Sequence, residues 1–487
     1  MIRMDIKRTE FYEELSIPDR DKFFNLSAHK FLPSIDNIYY SLFIEGDYTG
    51  NYNLINFFNH LQDLKQQAQA EYTPQPYNDT LNLELYGIEN FKYCLSAPDL
   101  YDIFITDFLP NSSNPRIQIQ IRAFGLWTYG VEKMLKDSYN SIKTILQPLG
   151  CNINLSKENR IDYCWHTNEI QNPDKYLAVA RLEKEMKTTM KRYKRVGRLE
   201  VLDGKTKMKA DYLFLGNRKS NNVVVRIYNK ALEVVEEGYK SFFLQLWYEQ
   251  GLISFYDKYC LEKAYLKKKW SYIERAKLEF YIEHGNNQAR KSIISRLLED
   301  EKSTYEDIQS ICNKLMPDIT TVLNIEYETK RKFYYYSDDF IDSLKTIDRP
   351  ELPEVLERMF RIVDNKKIFL GYLTSKTLSF EKNQNYVSWW KRLRNTKLDG
   401  LKTDQELLRI YSNNLDDQMI KAKFINTIAT YGAYSQNLSS TPEQDMMDML
   451  SNINDNDKMK IDLYHKTKQK KFQKIKNRIK KDQSQNQ

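Results

Sequence analysis

Arg116-Ile117-Gln118-Ile119-Gln120-Ile121-Arg122 alternates without a break, isoleucine on one side and glutamine or arginine on the other. Side chains along a strand point to opposite faces with period two, so this stretch reads as a half-buried strand of an antiparallel-type sheet. The period then changes. Trp127, Val131, Met134, Leu135, Ile142, Ile145 and Leu146 recur at helical spacing, which predicts an amphipathic helix over 126–147. Upstream, Tyr40-Ser41-Leu42-Phe43-Ile44 is a strand closed by Gly46-Asp47, and further strands are expected at Arg160–His166, Tyr212–Leu215, Val223–Tyr228 and Lys277–Glu283. Between the last two lies a helical insertion over about 230–270, which holds Tyr239, Tyr248, Tyr256, Tyr259 and Tyr265. Strands interleaved unevenly with helices predict an α+β fold, a central antiparallel sheet with helices on one face.

On either side the pattern is different. Residues 1–35 read as a polar N-terminal arm, and 36–330 as the sheet domain. Beyond about 330 the strand signals fade. Thr403-Asp404-Gln405-Glu406 is a capping box, and Thr441-Pro442-Glu443-Gln444 opens another helix with proline at its first position. A mainly helical C-terminal domain is expected over 331–450, followed by a basic tail over 451–487. No internal repeat is visible.

Composition sets the class. The chain has 487 residues, 41% hydrophobic and 13% aromatic, enough apolar material for two or three domains and too much aromatic content for a solvated coil. No apolar run approaches the length of about 18 residues that a membrane span needs. Met1-Ile2-Arg3-Met4-Asp5 starts without an apolar signal core, so no secretory leader is expected. Cys94, Cys151, Cys164, Cys260 and Cys312 are far apart and odd in number, which excludes a zinc knuckle or a disulfide framework and fits a reducing cytoplasm. The net charge of +8 is concentrated rather than spread. Lys458 to Lys481 holds eleven Lys or Arg against Asp462 alone, and Lys184 to Lys219 holds twelve against four acids. Such stripes point to a polyanionic partner.

Several chemistries are missing. Gly197 and the later Gly204-Lys205-Thr206 mimic a nucleotide-binding loop, but six residues separate the glycines where four are required, so the first cannot set its amide over the phosphates. GxSxG, HExxH and GxGxxG do not occur, nor does a histidine-hydrophobic-histidine metal pair. Helicase and kinase readings are excluded on that basis.

What remains is a constellation of three segments. In Arg160-Ile161-Asp162-Tyr163-Cys164-Trp165-His166, strand alternation puts Asp162, Cys164 and His166 on one face. Asp162 and His166 could hold one divalent cation, or Asp162 could simply pair with Arg160 beside a core histidine. Gly216-Asn217 makes a tight turn that carries Arg218, Lys219 and Ser220, and the next strand projects Arg226 before Lys230. Arginine, lysine, hydroxyl and backbone donors are what phosphate recognition uses, although a plain hairpin with solvated cations has the same letters. In Lys277-Leu278-Glu279-Phe280-Tyr281-Ile282-Glu283-His284, read as a strand, Glu279, Tyr281 and Glu283 share a face and could bind metal beside a nucleophile, or form an exposed acidic face.

In order and spacing these segments resemble the Rep_trans family, the replication-initiation proteins of Gram-positive plasmids and the related relaxases of conjugative elements. The resemblance spans residues 36–330 and rests on Arg160, Asp162, Gly216, Arg218, Lys219, Ser220, Arg226, Tyr228, Lys230, Glu279 and Glu283. It implies a degenerate rolling-circle nickase-like fold that binds origin DNA, uses Mg²⁺ or Mn²⁺, and cuts one strand with a tyrosine. The products would be a 5′-phosphotyrosine and a free 3′-hydroxyl. Two departures stand out. His166 occupies a position where the family usually has Asp. The helix after the glutamate strand, Asn286 to about Asp300, lacks the family's tyrosine, leaving Tyr281, Tyr305 or a tyrosine of the insertion as nucleophile, or none. The expected metal ligands are Asp162, His166, Glu279 and Glu283, and the expected phosphate ligands are Arg218, Lys219, Ser220, Arg226 and Lys230. Expected partners are double- and single-stranded origin DNA and a host helicase or polymerase, with no membrane; a homodimer is left open. The rival readings are an origin binder that recruits host proteins without cutting, and a relaxase acting at a transfer origin. Origin recognition or assembly is expected of the helical domain over 331–450; within it, Val387 to Arg394 sets Trp389 and Trp390 beside Lys391, Arg392 and Arg394, and core tryptophans flanked by solvated cations are expected there over direct base contact.

Overall fold

The computed structural model describes residues 30–45, 51–88, 90–106, 115–170, 184–190, 199–202, 205–208, 212–237, 240–300, 304–335, 338–347, 349, 352–396, 441–454, 457–458 and 461. The strands are β1 (Phe31–Glu45), β2 (Gln75–Pro76), β3 (Asn82–Leu83), β4 (Tyr93–Ala97), β5 (Tyr101–Ile105), β6 (Ile117–Ile121), β7 (Asn152–Thr167), β8 (Met186–Thr188), β9 (Leu199–Leu202), β10 (Lys205–Met208), β11 (Tyr212–Leu215), β12 (Val223–Asn229), β13 (Leu323–Lys330), β14 (Leu378–Lys382) and β15 (Asn385–Tyr386). Ten of them form one antiparallel sheet in the order β11-β12-β13-β7-β1-β6-β5-β4-β3-β2. The fold is therefore α+β around a large antiparallel sheet, as the alternation at Arg116–Arg122 predicts. In β6 that alternation is realised directly: Ile117, Ile119 and Ile121 are buried, and Gln118 and Gln120 are half-buried.

Helices α1 (Tyr52–Glu71), α2 (Ala123–Tyr129) and α3 (Val131–Leu146) follow early strands. The helix expected over 126–147 is broken at Gly130, whose φ of +83° is a conformation glycine adopts without penalty. Met134, Leu135, Ile142 and Leu146 of α3 pack into the same core as Ile38, Leu42, Ile117 and Ile119 of the sheet.

Between β12 and β13 runs an all-helical insertion: α4 (Lys230–Glu237), α5 (Phe242–Glu249), α6 (Phe255–Lys267), α7 (Tyr272–His284), α8 (Gln288–Glu299) and α9 (Tyr305–Leu315). It reaches well past the expected limit near 270 and has its own core, in which Phe243, Trp247, Tyr256, Leu261 and Phe280 are buried.

The segment expected as a strand at Lys277–Glu283 is the second half of α7. Leu278, Phe280 and Ile282 alternate over too few residues to override the longer pattern. Ile273, Ala276, Lys277, Phe280 and Tyr281 are buried at steps of three and four, and the Arg275–Glu279 pair at 3.1 Å spans a helical turn.

After β13 come α10 (Arg331–Tyr335), α11 (Asp338–Ser343), α12 (Glu357–Asp364), α13 (Lys366–Tyr372) and α14 (Ser388–Arg394). These do not make a separate domain from 331 on. Phe333, Phe360, Phe369, Trp390 and Leu393 share the core of Ile161, Tyr163, Trp165, Ile325 and Tyr327. Helix α14 buries both tryptophans as expected, with Trp390 Nε1–H donating to the Thr374 carbonyl at 2.9 Å. The chain divides into compact units at Arg409/Ile410. In the second unit, α15 (Pro442–Ser451) starts at the Thr441 cap that the sequence marks. The Thr403 capping box and nearly all of the basic tail lie outside the described residues, as do residues 1–29 of the arm. Among the described residues no helix is long and apolar enough to cross a membrane.

Candidate functional site: one polar sheet face

Strands β7 and β13 lie side by side at the centre of the sheet, and their two faces differ completely. One face carries Ile161, Tyr163, Trp165, Ile325 and Tyr327 into the main core. The other carries Arg160, Asp162, Cys164 and His166 on β7, paired in register with Lys330, Glu328, Glu326 and Asn324 on β13. Strand β12 extends the rows, setting Arg226 opposite Glu326 and Tyr228 opposite Asn324. On the far side β1 sets Asn37 opposite Asp162 and Tyr39 opposite Arg160. A register shift between Ile35 and Asn37 leaves Asp36 as the extra residue of a bulge. Asp36 lies on the same face as Cys164 and His166, with ligand atoms of the three within 4.8 Å of one another.

This face has a closed end and an open end. At the closed end, beneath the insertion, His166, Cys164 and Asp36 are buried. Trp127 stacks on the His166 ring at 4.7 Å and donates from Nε1–H to Asp36 Oδ1 at 3.2 Å. Trp247 Nε1–H donates to His166 Nδ1 at 3.0 Å, which leaves the ring proton on Nε2. Burial, reinforced by Lys230, holds the imidazole well below its usual range, and burial pushes the Cys164 thiol up. Burial alone would raise Asp36 as well, but Lys230 and Lys240 outweigh it and bring this carboxyl down to about 2.

The next row is a sealed polar network. Arg226 pairs with Glu326. Tyr228 donates its hydroxyl proton to Glu326 at 3.2 Å and accepts from Lys230 Nζ at 3.2 Å and Asn324 Nδ2 at 3.0 Å. Lys230 is itself fully buried and paired with Glu233 at 2.6 Å.

At the open end, Arg160 forks onto Asp162 with contacts of 2.7 and 2.5 Å and approaches Glu328 Oε2 at 3.2 Å. Arg218 Nε reaches the same Glu328 oxygen at 3.3 Å from the exposed turn, and Lys330 stands 3.9 Å from the other. Burial pushes the Asp162 carboxyl up, with Glu326 and Glu328 adding to it and Arg160 opposing. Arg160 also lies over the Tyr39 ring at 5.3 Å, and burial raises the Tyr39 hydroxyl to about 12.

The expected site residues separate on this scaffold. Asp162 is at the open end; His166 is on the same strand face, at the closed end. Glu279 and Glu283 are on α7, where Glu279 accepts from Tyr272 at 2.8 Å and Glu283 accepts from Tyr259 at 2.5 Å. Tyr281 is buried in α7, and Tyr305 is the first residue of α9, so neither stands on the sheet. Arg226 and Lys230 serve internal partners rather than an outside phosphate. Arg218, Lys219 and Ser220 occupy the exposed turn, which Asn217 shapes by accepting from the Lys219 amide at 2.8 Å.

Glu326 and Glu328 went unseen in the sequence, although Leu323-Asn324-Ile325-Glu326-Tyr327-Glu328 alternates as Lys277–Glu283 does.

A divalent cation can be tested against both ends. At the closed end Asp36, Cys164 and His166 bring ligand atoms within 4.8 Å of one another, but they do not fit Mg²⁺ or Mn²⁺. A thiol is a soft ligand, His166 Nδ1 is already taken by Trp247 Nε1–H, and Lys230 and Lys240 already supply the positive charge beside Asp36. At the open end Asp162 and Glu328 are hard oxygen donors on adjacent strands, and the guanidinium groups 3.2 and 3.3 Å from Glu328 Oε2 mark it as a point where positive charge gathers. Paired carboxylates completed by water and substrate phosphate suit a small hard cation, so this end fits.

No protein-family model matches the sequence, and no curated protein matches it either. Among solved structures, a rolling circle replication initiator protein from Geobacillus stearothermophilus is similar over 75% of this chain and 95% of that one, at 10% identity and a TM-score of 0.35.

Proposed function

We propose that this chain is a DNA-binding replication initiation protein of a plasmid or mobile element, and that it nicks one strand at its origin. The observation that carries the reading is the open end of the polar face, where two buried carboxylates from adjacent central strands are ringed by Arg160, Arg218 and Lys330. Arg218, Lys219 and Ser220 bind backbone phosphates at the rim, and the basic run from Lys458 adds salt-sensitive affinity that does not depend on sequence. Asp162 and Glu328 are the residues that would hold Mg²⁺ or Mn²⁺, and the chemistry such an ion would supply is polarisation of the scissile phosphate.

The nucleophile is a tyrosine close to that point. Tyr39 is on the same face beside Arg160. The family pattern places the nucleophile on the helix after the glutamate strand; with β13 as that strand, the helix is α10. Tyr334 is excluded there, since its buried hydroxyl bonds Thr329 at 2.6 Å and Tyr163 at 3.1 Å. Tyr335 is the next residue along. The tyrosine oxygen bonds to phosphorus as the P–O3′ bond breaks; the phenol gives up its proton to solvent and the leaving 3′-oxygen takes one up, leaving a 5′-phosphotyrosine and a 3′-hydroxyl that can prime synthesis.

A second reading keeps the DNA binding and drops the cut, with a host helicase or polymerase recruited instead. It is favoured by the fact that each carboxylate at the open end already has an arginine against it. One experiment decides. Protein is incubated with supercoiled cognate plasmid and Mn²⁺, stopped with SDS, and analysed for a covalent species. An adduct mapped to Tyr39 or Tyr335, and lost in the matching Tyr→Phe variant, supports nicking. Origin protection without any adduct supports the second reading.

A further inference from the structure

We infer that Arg160 is a counter-ion shared between the carboxylates and the DNA, so that divalent metal and nucleic acid bind to this chain cooperatively. The inference rests on the metal site proposed above and adds how that site is filled. Asp162 and Glu328 already face three cations, Arg160, Arg218 and Lys330. A divalent ion arriving alone meets a region where three cations already outnumber the two carboxylates. To reach the oxygens it must displace a guanidinium that then has no partner. A bare, partly desolvated guanidinium is unfavourable, so metal alone binds weakly.

A phosphodiester changes this. The side chains of Arg218 and Arg160 are 52% and 25% exposed, so both can turn outward while their carboxylate partners stay fixed in the sheet. A phosphate at the rim accepts the guanidinium groups, and the metal takes the carboxylates they leave. The exchange trades arginine–carboxylate pairs for arginine–phosphate and metal–carboxylate pairs, and two phosphodiesters of one strand offset the two charges the metal brings. Because the two binding events are linked, metal must tighten DNA binding by the same factor as DNA tightens metal binding. Arg226 does not take part: its partner is Glu326 in the neighbouring row, not Asp162 or Glu328. Arg160 is thus a positioning residue for the cation.

The test uses the full chain and follows free Mn²⁺ by electron paramagnetic resonance, with and without a mixed-sequence single-stranded oligonucleotide, after subtraction of the oligonucleotide's own Mn²⁺ uptake. Wild type should bind Mn²⁺ about tenfold tighter with the oligonucleotide present, within the usual range of coupling between sites. Arg160→Gln should bind Mn²⁺ tighter than wild type without DNA and lose most of the enhancement. Arg218→Gln, at an exposed turn that does not threaten folding, should shift both quantities the same way by a smaller factor and carries the test if Arg160→Gln does not fold. Equal Mn²⁺ affinity with and without oligonucleotide overturns the coupling and leaves the metal site standing. Coupling that survives in both variants overturns the assignment to these arginines. DNA binding with no Mn²⁺ uptake in any state removes the metal site itself, and the inference with it.

Discussion

The two ends of the polar face are built from the same strands and the same kinds of residue, yet they have opposite relations to solvent. At the closed end His166, Cys164 and Asp36 lie under Trp127, Phe243 and Trp247, and each polar group is held in one protonation state. At the open end Asp162 and Glu328 are just as buried, but the cations that neutralise them reach outward. The difference shows that burial of a carboxylate does not by itself mark a reactive site. What distinguishes the open end is that its counter-ions, Arg160 and Arg218, stand partly in solvent.

The sharpest way to break this contrast is to remove a counter-ion from the sealed network. Arg226→Ala strands Glu326 in the sheet interior and should cost about 3–5 kcal/mol of unfolding free energy in urea titrations. Glu326→Gln together with Arg226→Met, which removes both charges, should recover most of that loss.

A smaller effect tests the closed end through pH. His166 stays neutral in the folded chain because its pKa is depressed, whereas unfolded histidine protonates below about 6.5. The unfolded state therefore binds one more proton at low pH, and the stability this group contributes is present above about 6.5 and lost as pH falls. The expected slope is about 1.4 kcal/mol per pH unit between pH 6 and 5. His166→Gln should lower that slope by one proton's worth, as read from urea midpoints across the range. An unchanged slope would mean that the ring is not held neutral.

The smallest effect on stability belongs to the open rim. Arg218→Ala should change unfolding free energy by less than about 1 kcal/mol, because its ion pair is half in solvent. It should still weaken DNA binding and reduce the salt dependence by about one phosphate contact. A loss of stability as large as that of Arg226→Ala would erase the distinction between the ends.

Much of the scaffold was legible in the sequence, and the reasons are local. The alternation at Ile117–Ile121 and at Arg160–His166 is visible because each strand has one apolar face. The turn at Gly216 and Asn217 is visible because few residues adopt its geometry; Gly216 has a φ of +93°. The failures have local causes too. Lys277–Glu283 and Leu323–Lys330 both alternate over a short stretch, and only their flanks and tertiary partners tell helix from strand. Nothing in the local sequence marks Glu326 and Glu328 as interior, yet they are 1% and 2% exposed. What permits that is Arg226, 100 residues away in sequence, and Arg160 and Arg218 at still greater separation. The Asp36 bulge shows in the sequence only as two successive polar residues, Asp36 and Asn37, between Ile35 and Ile38, where strict alternation would set one.

The position of β13 has a consequence for how the molecule is made. This strand lies between β7 and β12, yet the ribosome delivers it only after the whole of α4–α9 has emerged. Until Lys330 is synthesised, β7 has an unpaired edge and the β11–β12 hairpin has no neighbour to join. The insertion has its own core and can collapse in the meantime, while the sheet waits for a partner from far along the chain. Joining the two halves of the sheet is thus a late, long-range step, and the same step brings Glu326 and Glu328 to their arginines. A nascent or truncated chain ending before β13 would expose a central strand edge together with Arg160 and Asp162, and would be expected to engage chaperones or aggregate rather than bind DNA.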